Sequence, residues 1–202
     1  MNKEQLLEKL KYQGFSEKII DAFKNIQREN FIPEEFRKYA YQDIAVSIGK
    51  EQTISQPYTI AFMLSLLELN SLENSSSVKI MEVGSGSGYV LALLNQIFPQ
   101  AEIYGIERIP ELIKSSKKTL ENISKIKIVK SGKEFGMKNK VFDRILVSAS
   151  ADKLPEILIE QLKDNGILVI PVKESIVKIK KINGKIEQKD FPGFVFVPLI
   201  KE

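Results

Sequence analysis

The chain has 202 residues, of which 43% are hydrophobic and 28% are charged, a balance typical of one folded domain and unlike that of a disordered chain. Lysine and arginine exceed aspartate and glutamate by 30 to 26, and the small excess is spread along the chain, so no nucleic-acid-binding patch is indicated. Cysteine and histidine are absent, which excludes disulfides, thiolate or imidazole metal sites, and catalysis by either residue. Any chemistry therefore depends on carboxylates, hydroxyls, lysines or a cofactor, and no metal site is expected.

The chain also lacks the features of a membrane or secreted protein. The first ten residues alternate charge with leucine and contain no apolar signal core, and no apolar run is long enough to span a bilayer. We therefore expect a cytoplasmic monomer with no membrane and no nucleic-acid partner.

Helical periodicity marks the N-terminal region. After a break at Gly14, Ser16 is placed to cap the second helix, and Pro57 begins a third. Residues 30–56 between them are irregular, and so long a connection is typical of a packed cap or part of a site. The apolar faces of the three helices are Leu6, Leu7, Leu10; Ile19, Ile20, Phe23, Ile26; and Ile60, Met63, Leu64, Leu67.

From residue 78 onward, short apolar strands alternate with helices. Strands are predicted at 78–83, 101–107, 126–130, 142–147 and 167–172, and helices at 88–98, 110–121 and 155–163. This order predicts a parallel sheet that is covered on both faces. The pair Asn183-Gly184 then predicts a hairpin between residues 175–182 and 185–188, which together with the run 194–199 indicates an antiparallel addition at the sheet edge.

The strongest local motif is Gly-x-Gly-x-Gly in the segment Glu82 to Tyr89, directly after a strand and before a helix. Glycines let a ligand approach the backbone, and the helix N-terminus offers free N–H groups. Glu107 ends the next strand, where a carboxylate can accept both hydroxyls of a ribose. The alternative is a glycine-rich turn without a ligand. Dinucleotide sites favour Gly-x-Gly-x-x-Gly, and Tyr89 would crowd a pyrophosphate, so an adenosyl ligand without phosphates fits better.

Several motifs in register then resemble one family. They are Phe31-Ile-Pro-Glu34, Tyr39-Ala-Tyr41, Gln52-Thr-Ile-Ser-Gln-Pro57, Glu82 to Tyr89, Glu107-Arg-Ile-Pro-Glu-Leu112, Phe142-Asp143, Gly166 to Pro171 and Phe196-Val-Pro-Leu199. Together they resemble the protein-L-isoaspartate O-methyltransferases, which are class I S-adenosylmethionine-dependent enzymes. The resemblance implies an α/β fold with a Rossmann-like, doubly wound, mostly parallel seven-stranded sheet, an N-terminal helical cap and an antiparallel C-terminal edge. We expect a single domain, 1–202, divided into a helical cap and lid (1–56), a cofactor-binding core (57–172) and C-terminal strands (173–202).

The resemblance further implies a repair enzyme that methylates the free carboxylate of isoaspartyl residues in damaged proteins, with S-adenosyl-L-methionine as cofactor. An ionised carboxylate needs no general base, which agrees with the missing histidines. Ser55 matches the catalytic serine of the family and would hold the substrate carboxylate. The residues expected to bind the cofactor are Thr53, Ile54, Gln56, Glu82, Gly84, Ser85, Gly86, Glu107, Arg108, Gly132 and Lys133.

Simpler roles compete with some of these. Ser55 and Gln56 could merely cap the helix that begins at Pro57, and Glu82 could brace the glycine loop. Asp143 is expected to be structural, bonded to nearby backbone.

The chain departs from the family pattern at three places. Gly132 replaces an aspartate near the adenine, a loss that could weaken cofactor binding by roughly 1.5–3 kcal/mol. Glu51 replaces a glycine and would repel an anionic substrate unless it faces solvent. Lys173-Glu174 replaces a glycine-rich stretch. Two rival hypotheses follow: a related methyltransferase for another protein carboxylate, and a protein that binds the nucleoside without turnover.

Overall fold

The computed structural model describes residues 1–73, 75, 77–132 and 134–200. Two helices open the chain, α1 (Lys3–Tyr12) and α2 (Glu17–Asn25). Asn2 and Gln5 form a reciprocal capping box at the start of α1. Ser16 occupies the N-cap of α2 as predicted, but its side chain makes no capping hydrogen bond. The predicted apolar faces lie inward, with Leu6, Leu10, Ile19, Ile20 and Phe23 buried.

The connection predicted to be irregular contains short ordered elements. Two 3₁₀ helices, Arg28–Phe31 and Glu34–Tyr39, precede an antiparallel hairpin of β1 (Val46–Gly49) and β2 (Gln52–Ile54). Helix α3 (Pro57–Leu66) follows, with proline in its first turn as predicted. The hairpin therefore places Ser55 between a strand and a helix N-terminus.

The rest of the chain forms the main sheet and its helices. In chain order the elements are β3 (Lys79–Val83), α4 (Tyr89–Ile97), β4 (Glu102–Glu107), α5 (Pro110–Thr119), β5 (Ile126–Lys130), β6 (Phe142–Val147), α6 (Glu156–Glu160), β7 (Leu162–Val172), β8 (Ser175–Ile182) and β9 (Lys185–Pro192). The seven strands lie in the order β5-β4-β3-β6-β7-β8-β9. The first five are parallel, and β8 and β9 add in antiparallel orientation. The predicted fold class is confirmed.

Both faces of the sheet are covered. Successive residues of a strand point to opposite faces, and on β3 the buried side chains of Ile80 and Met81 belong to two different core clusters. Strand β9 ends the sheet and is exposed along nearly its whole length. Its alternating lysine, glutamate and aspartate residues are typical of an edge strand that avoids pairing with another chain.

Two predictions about the C-terminal half are wrong. The helix predicted at 155–163 is only α6, because β7 begins at Leu162 and continues through a register shift opposite Phe142 and Arg144. The run 194–199 does not join the antiparallel edge. Instead it contacts the end of the sheet through an isolated parallel bridge between Ser150 and Pro198.

The topology determines where a ligand cleft can form. Strand β3 is flanked by β4 on one side and by β6 on the other, so the chain reverses its winding direction at β3. A crevice opens at the carboxyl ends of strands at such a switch point. The division into cap, core and C-terminal strands stays a prediction. Among the described residues, no helix combines the length and the apolar character needed to cross a bilayer.

Candidate active site

The glycine loop, residues 84–88, is bonded to the end of the neighbouring strand. The backbone N–H groups of Gly84 and Ser85 donate to the Ile106 carbonyl at 2.8 and 3.1 Å. Gly84, Gly86 and Gly88 all have φ between 50° and 86°, in the left-handed region that favours glycine. A Cβ atom on Gly86 would lie 3.1 Å from Ile48 Cδ1, so the β1–β2 hairpin closes tightly over this loop.

Glu107, at the end of β4, braces this loop. Its Oε2 accepts from Gly86 N–H at 2.9 Å, and its Oε1 accepts from the N–H groups of Arg108 and Ile109 at 2.8 and 2.9 Å. The side chain is buried. A carboxylate offers about four acceptor positions, so about one remains for a ligand hydroxyl. Bracing of the glycine loop was an alternative role for Glu82 in the sequence analysis, but in the structure Glu107 makes these bonds.

Glu82, at the end of β3, is buried with one oxygen unsatisfied. Its Oε1 accepts from the Ser148 hydroxyl at 2.7 Å, whereas Oε2 has no hydrogen-bond partner among the described residues. Burial raises the pKa of the Glu82 carboxyl to about 8, the Ser148 hydrogen bond opposes this rise, and the charge of Glu107 adds to it. A cationic ligand group beside Oε2 would favour the ionised form.

The opposite side of the site is the Ser55 turn, residues 55–58. Arg28 Nη2 donates to the Ser55 carbonyl oxygen at 2.9 Å, and Tyr58 N–H donates to Asp43 Oδ1 at 2.8 Å. Gln56 stands at the N-cap of α3 without a side-chain capping bond. The alternative that Ser55 and Gln56 only cap this helix is wrong, because the remote Asp43 carboxylate supplies the cap.

Three adjoining cavities between these two sides share lining residues, and we call them together the cleft. Their volumes are about 470, 550 and 1250 Å³ with the open solvent at their mouths included, and Thr53 and Ser148 line all three. The first also contacts the predicted residues Ile54, Ser55, Glu82, Gly84, Ser85 and Gly86. Glu107 and Arg108 line the second, and Ser55 and Gln56 line the third. The cleft therefore borders both the glycine loop and Ser55.

Of the predicted cofactor residues, Gly132 does not line this cleft. Gly132 lines a separate surface cavity with Lys130 and Glu134, and Lys133 lies outside the described residues. Ser131 and Phe135 line the second cavity instead. The hydrogen bonds of Asp143 are structural as predicted, since its Oδ2 accepts from the Lys79 N–H and from the Lys163 ammonium, each at 2.8 Å.

The sequence prediction missed several residues of the cleft. Ser148 directly follows β6, so the rule that places ligands at the carboxyl ends of strands could have found it. The C-terminal strap, residues 193–200, had no such local signal. It is held by Ser150, whose N–H donates to the Val197 carbonyl at 2.8 Å and whose carbonyl accepts from Leu199 N–H at 2.7 Å. The strap lines the second and third cavities.

Glu51 does not reach the cleft. It is exposed in the turn of the β1–β2 hairpin and lines none of the three cavities. Glu51 therefore faces solvent, and we do not expect it to repel an anionic substrate.

Comparison with known proteins agrees with this geometry. The protein from Fervidobacterium nodosum named protein-L-isoaspartate O-methyltransferase is 41% identical over 202 residues, covering 96% of this chain and 99% of its own. One of the same name from Petrotoga mobilis is 42% identical and covers 96% and 92%. A crystal structure of such an enzyme from Plasmodium falciparum, in complex with S-adenosyl-L-homocysteine, has a TM-score of 0.85, 29% identity and full coverage of both chains. The profile of one family matches residues 1–202, and the chain therefore belongs to the Protein-L-isoaspartate(D-aspartate) O-methyltransferase family.

Proposed function

We propose that this protein transfers a methyl group from S-adenosyl-L-methionine to the free carboxylate of isoaspartyl residues in damaged proteins. The observation that carries the proposal is the cleft, in which Thr53 and Ser148 line both the glycine-loop cavity and the cavity beside Ser55 and Gln56. The named activity of the relatives and the S-adenosyl-L-homocysteine bound in the Plasmodium falciparum structure support it.

The residues at the strand ends fit this cofactor. Glu82 Oε2 is a buried acceptor without a partner among the described residues, which suits a cationic sulfonium or ammonium group. Gly84 and Gly86 allow close approach of the nucleoside, and Glu107 keeps about one acceptor position for a ribose hydroxyl. Ser131 and Arg108 line the cavity in which the adenine would lie. When bound, S-adenosylmethionine supplies an electrophilic methyl group on a sulfonium.

The chain's own residues then have to orient a nucleophile that is already ionised. The substrate carboxylate needs no base near neutral pH, so catalysis consists of alignment and exclusion of water. Ser55 would donate its hydroxyl hydrogen to one carboxylate oxygen, and Thr53 would line the passage between the two reactants. The strap, residues 193–200, would shield both from solvent.

We further propose a cytoplasmic monomer that does not bind nucleic acid. The small positive net charge of +4 is spread over the chain, and the charged edge strand β9 disfavours pairing between copies. Light scattering coupled to size exclusion tests the oligomeric state, and a mass of twice 22.9 kDa would contradict it.

The activity is tested with labelled S-adenosylmethionine and two peptides that differ only in having isoaspartate or aspartate at one position. We expect a base-labile methyl ester on the isoaspartyl peptide alone. Transfer only to another protein carboxylate would indicate a methyltransferase with a different substrate. Cofactor binding without transfer to any acceptor would indicate a binding protein.

A further inference from the structure

Two arginines are fully buried, and they differ in how their charge is satisfied. Arg144 is bonded to several groups, namely the carbonyls of Leu67, Glu68, Asp143 and Asn165 and the hydroxyl of Ser71. Arg28, which is 0% exposed, donates to the Ser55 carbonyl, and its Nε and Nη1 have no hydrogen-bond partner among the described residues. Its guanidinium carbon lies 5.2 Å from the centroid of the Tyr89 ring. A buried cation with so few partners is costly, so its place behind the Ser55 turn requires an explanation.

The bond to Arg28 determines how the Ser55–Gln56 peptide group is oriented. None of the described peptide bonds is cis, and in a trans peptide the C=O and N–H groups point in opposite directions. Because the Ser55 carbonyl faces the buried guanidinium, the Gln56 N–H faces away from it, and both Ser55 and Gln56 line the third cavity. No described residue accepts a hydrogen bond from this N–H.

Asp43 holds the other end of the same turn. Its Oδ1 accepts from Tyr58 N–H, and its Oδ2 forms an ion pair with Lys9 at 2.8 Å. The inward-facing backbone groups of the turn are thus bonded to Arg28 and Asp43. The Ser55 hydroxyl and the Gln56 N–H remain, two neighbouring donors of the kind that a carboxylate accepts.

We infer that Arg28 is a positioning residue, which holds the Ser55 carbonyl inward so that the Ser55 hydroxyl and the Gln56 N–H together bind the substrate carboxylate. The inference rests on the proposed function and adds a specific anion-binding pair to it.

The test compares Arg28→Met and Arg28→Lys with Arg144→Met and Arg144→Lys, in which the other buried guanidinium is changed at a residue that lines none of the three cavities. Four quantities are measured for each folded variant: KM and kcat for the isoaspartyl peptide, Kd for S-adenosyl-L-homocysteine by calorimetry, and Tm. We expect Arg28→Met to raise KM for the peptide about 10- to 100-fold and to leave the Kd within about threefold. Arg28→Lys recovers part of the loss because an ammonium can still donate to the carbonyl. The Arg144 variants lower Tm without a comparable change in KM.

A rise in KM no larger than that of an Arg144 variant with the same Tm would overturn the inference, as would an equal loss of cofactor affinity. If Arg28→Met does not fold, the test rests on Arg28→Lys. An unchanged KM in Arg28→Lys then overturns the inference. A wild-type protein that does not methylate the isoaspartyl peptide would overturn the proposed function and this inference with it. An active wild-type protein with unaffected Arg28 variants would overturn the inference alone.

Discussion

The two sides of the cleft are held in place by different means. On the glycine-loop side, the bonds come from the end of the adjacent strand, where Ile106 and Glu107 accept the N–H groups of the loop. On the Ser55 side, the bonds come from Arg28 and Asp43, 27 positions before Ser55 and 15 positions before Tyr58. A site built from strand, loop and strand can be recognised along the sequence, whereas a turn held by remote side chains depends on the packing of the whole cap.

The glycine-loop side should be most sensitive at Glu107. Glu107→Gln keeps the shape of the side chain but replaces one acceptor oxygen with an NH₂ group that faces backbone N–H donors. Because each charge-assisted bond contributes about 1.5–3 kcal/mol, we expect a loss of stability of about 2–3 kcal/mol and at least roughly 100-fold weaker cofactor binding. Urea unfolding and calorimetry measure both. An unchanged cofactor Kd would show that Glu107 only braces the loop.

Ser55→Ala should affect the other side without disturbing the first. The Ser55 hydroxyl makes no hydrogen bond to a described residue, so its loss should leave stability and cofactor affinity nearly unchanged. Turnover of the isoaspartyl peptide should fall by about 1–3 kcal/mol of barrier, the scale of one charged hydrogen bond. Steady-state kinetics measure the change in turnover, and a cofactor titration shows whether cofactor affinity changes with it. Turnover equal to that of the wild type would remove Ser55 from the mechanism.

This difference between locally bonded and remotely bonded segments also explains which features the sequence could predict. The glycine loop and the buried stripe of α3 were recognised because periodicity and spacing encode them locally, and the structure confirms both. The short hairpin at residues 46–54 was missed, because its strands have only four and three residues and the turn residues Lys50 and Glu51 are neither glycine nor asparagine.

Tertiary contacts account for the remaining differences. The run 194–199 is an apolar segment of the length of a strand, yet it is held as a strap by Ser150. Gly132 was assigned to the cofactor site by the resemblance to the family, whereas in the structure it lines another cavity. Arg28 gave no signal, because a single arginine in a polar stretch does not indicate that it is buried. The catalytic role of Ser55 rests on family resemblance and stays a prediction.

On the glycine-loop side, the buried carboxyl of Glu82 should make the stability of the protein depend on pH. Its pKa in the folded protein is raised from the ordinary 4.5 to about 8, so between these values the folded state binds a proton that the unfolded state has released. Stability from this group is therefore fully present below about pH 4.5 and is lost as the pH rises through 8. Glu82→Gln removes this dependence, and the stability of the variant relative to the wild type should increase by up to about 1.4 kcal/mol per pH unit within the window.

Denaturant unfolding at pH 5, 7 and 9 measures the effect of Glu82→Gln. Glu187→Gln, the same chemical change on the exposed strand β9, provides the matched control and should show no such trend. Parallel pH profiles for wild type and Glu82→Gln would mean that the buried carboxyl does not titrate in this range.

The smallest expected effect concerns backbone strain, which differs between the glycine loop and the β1–β2 hairpin. Left-handed positions in the glycine loop are glycines, whereas the hairpin turn places Lys50 and Glu51 at φ of 55° and 59°. A side chain in this region costs about 1–2 kcal/mol. Replacing it with glycine removes that cost, but glycine also raises the entropy of the unfolded chain, which offsets part of the gain in stability. Glu51→Gly should therefore raise stability by about 0.5 kcal/mol, or about 1–2 °C in Tm. Glu51→Ala removes the carboxylate but keeps the Cβ, so an equal gain in that variant would assign the effect to charge. Because Glu51 is exposed and lines none of the three cavities, KM for the peptide should stay the same in both variants.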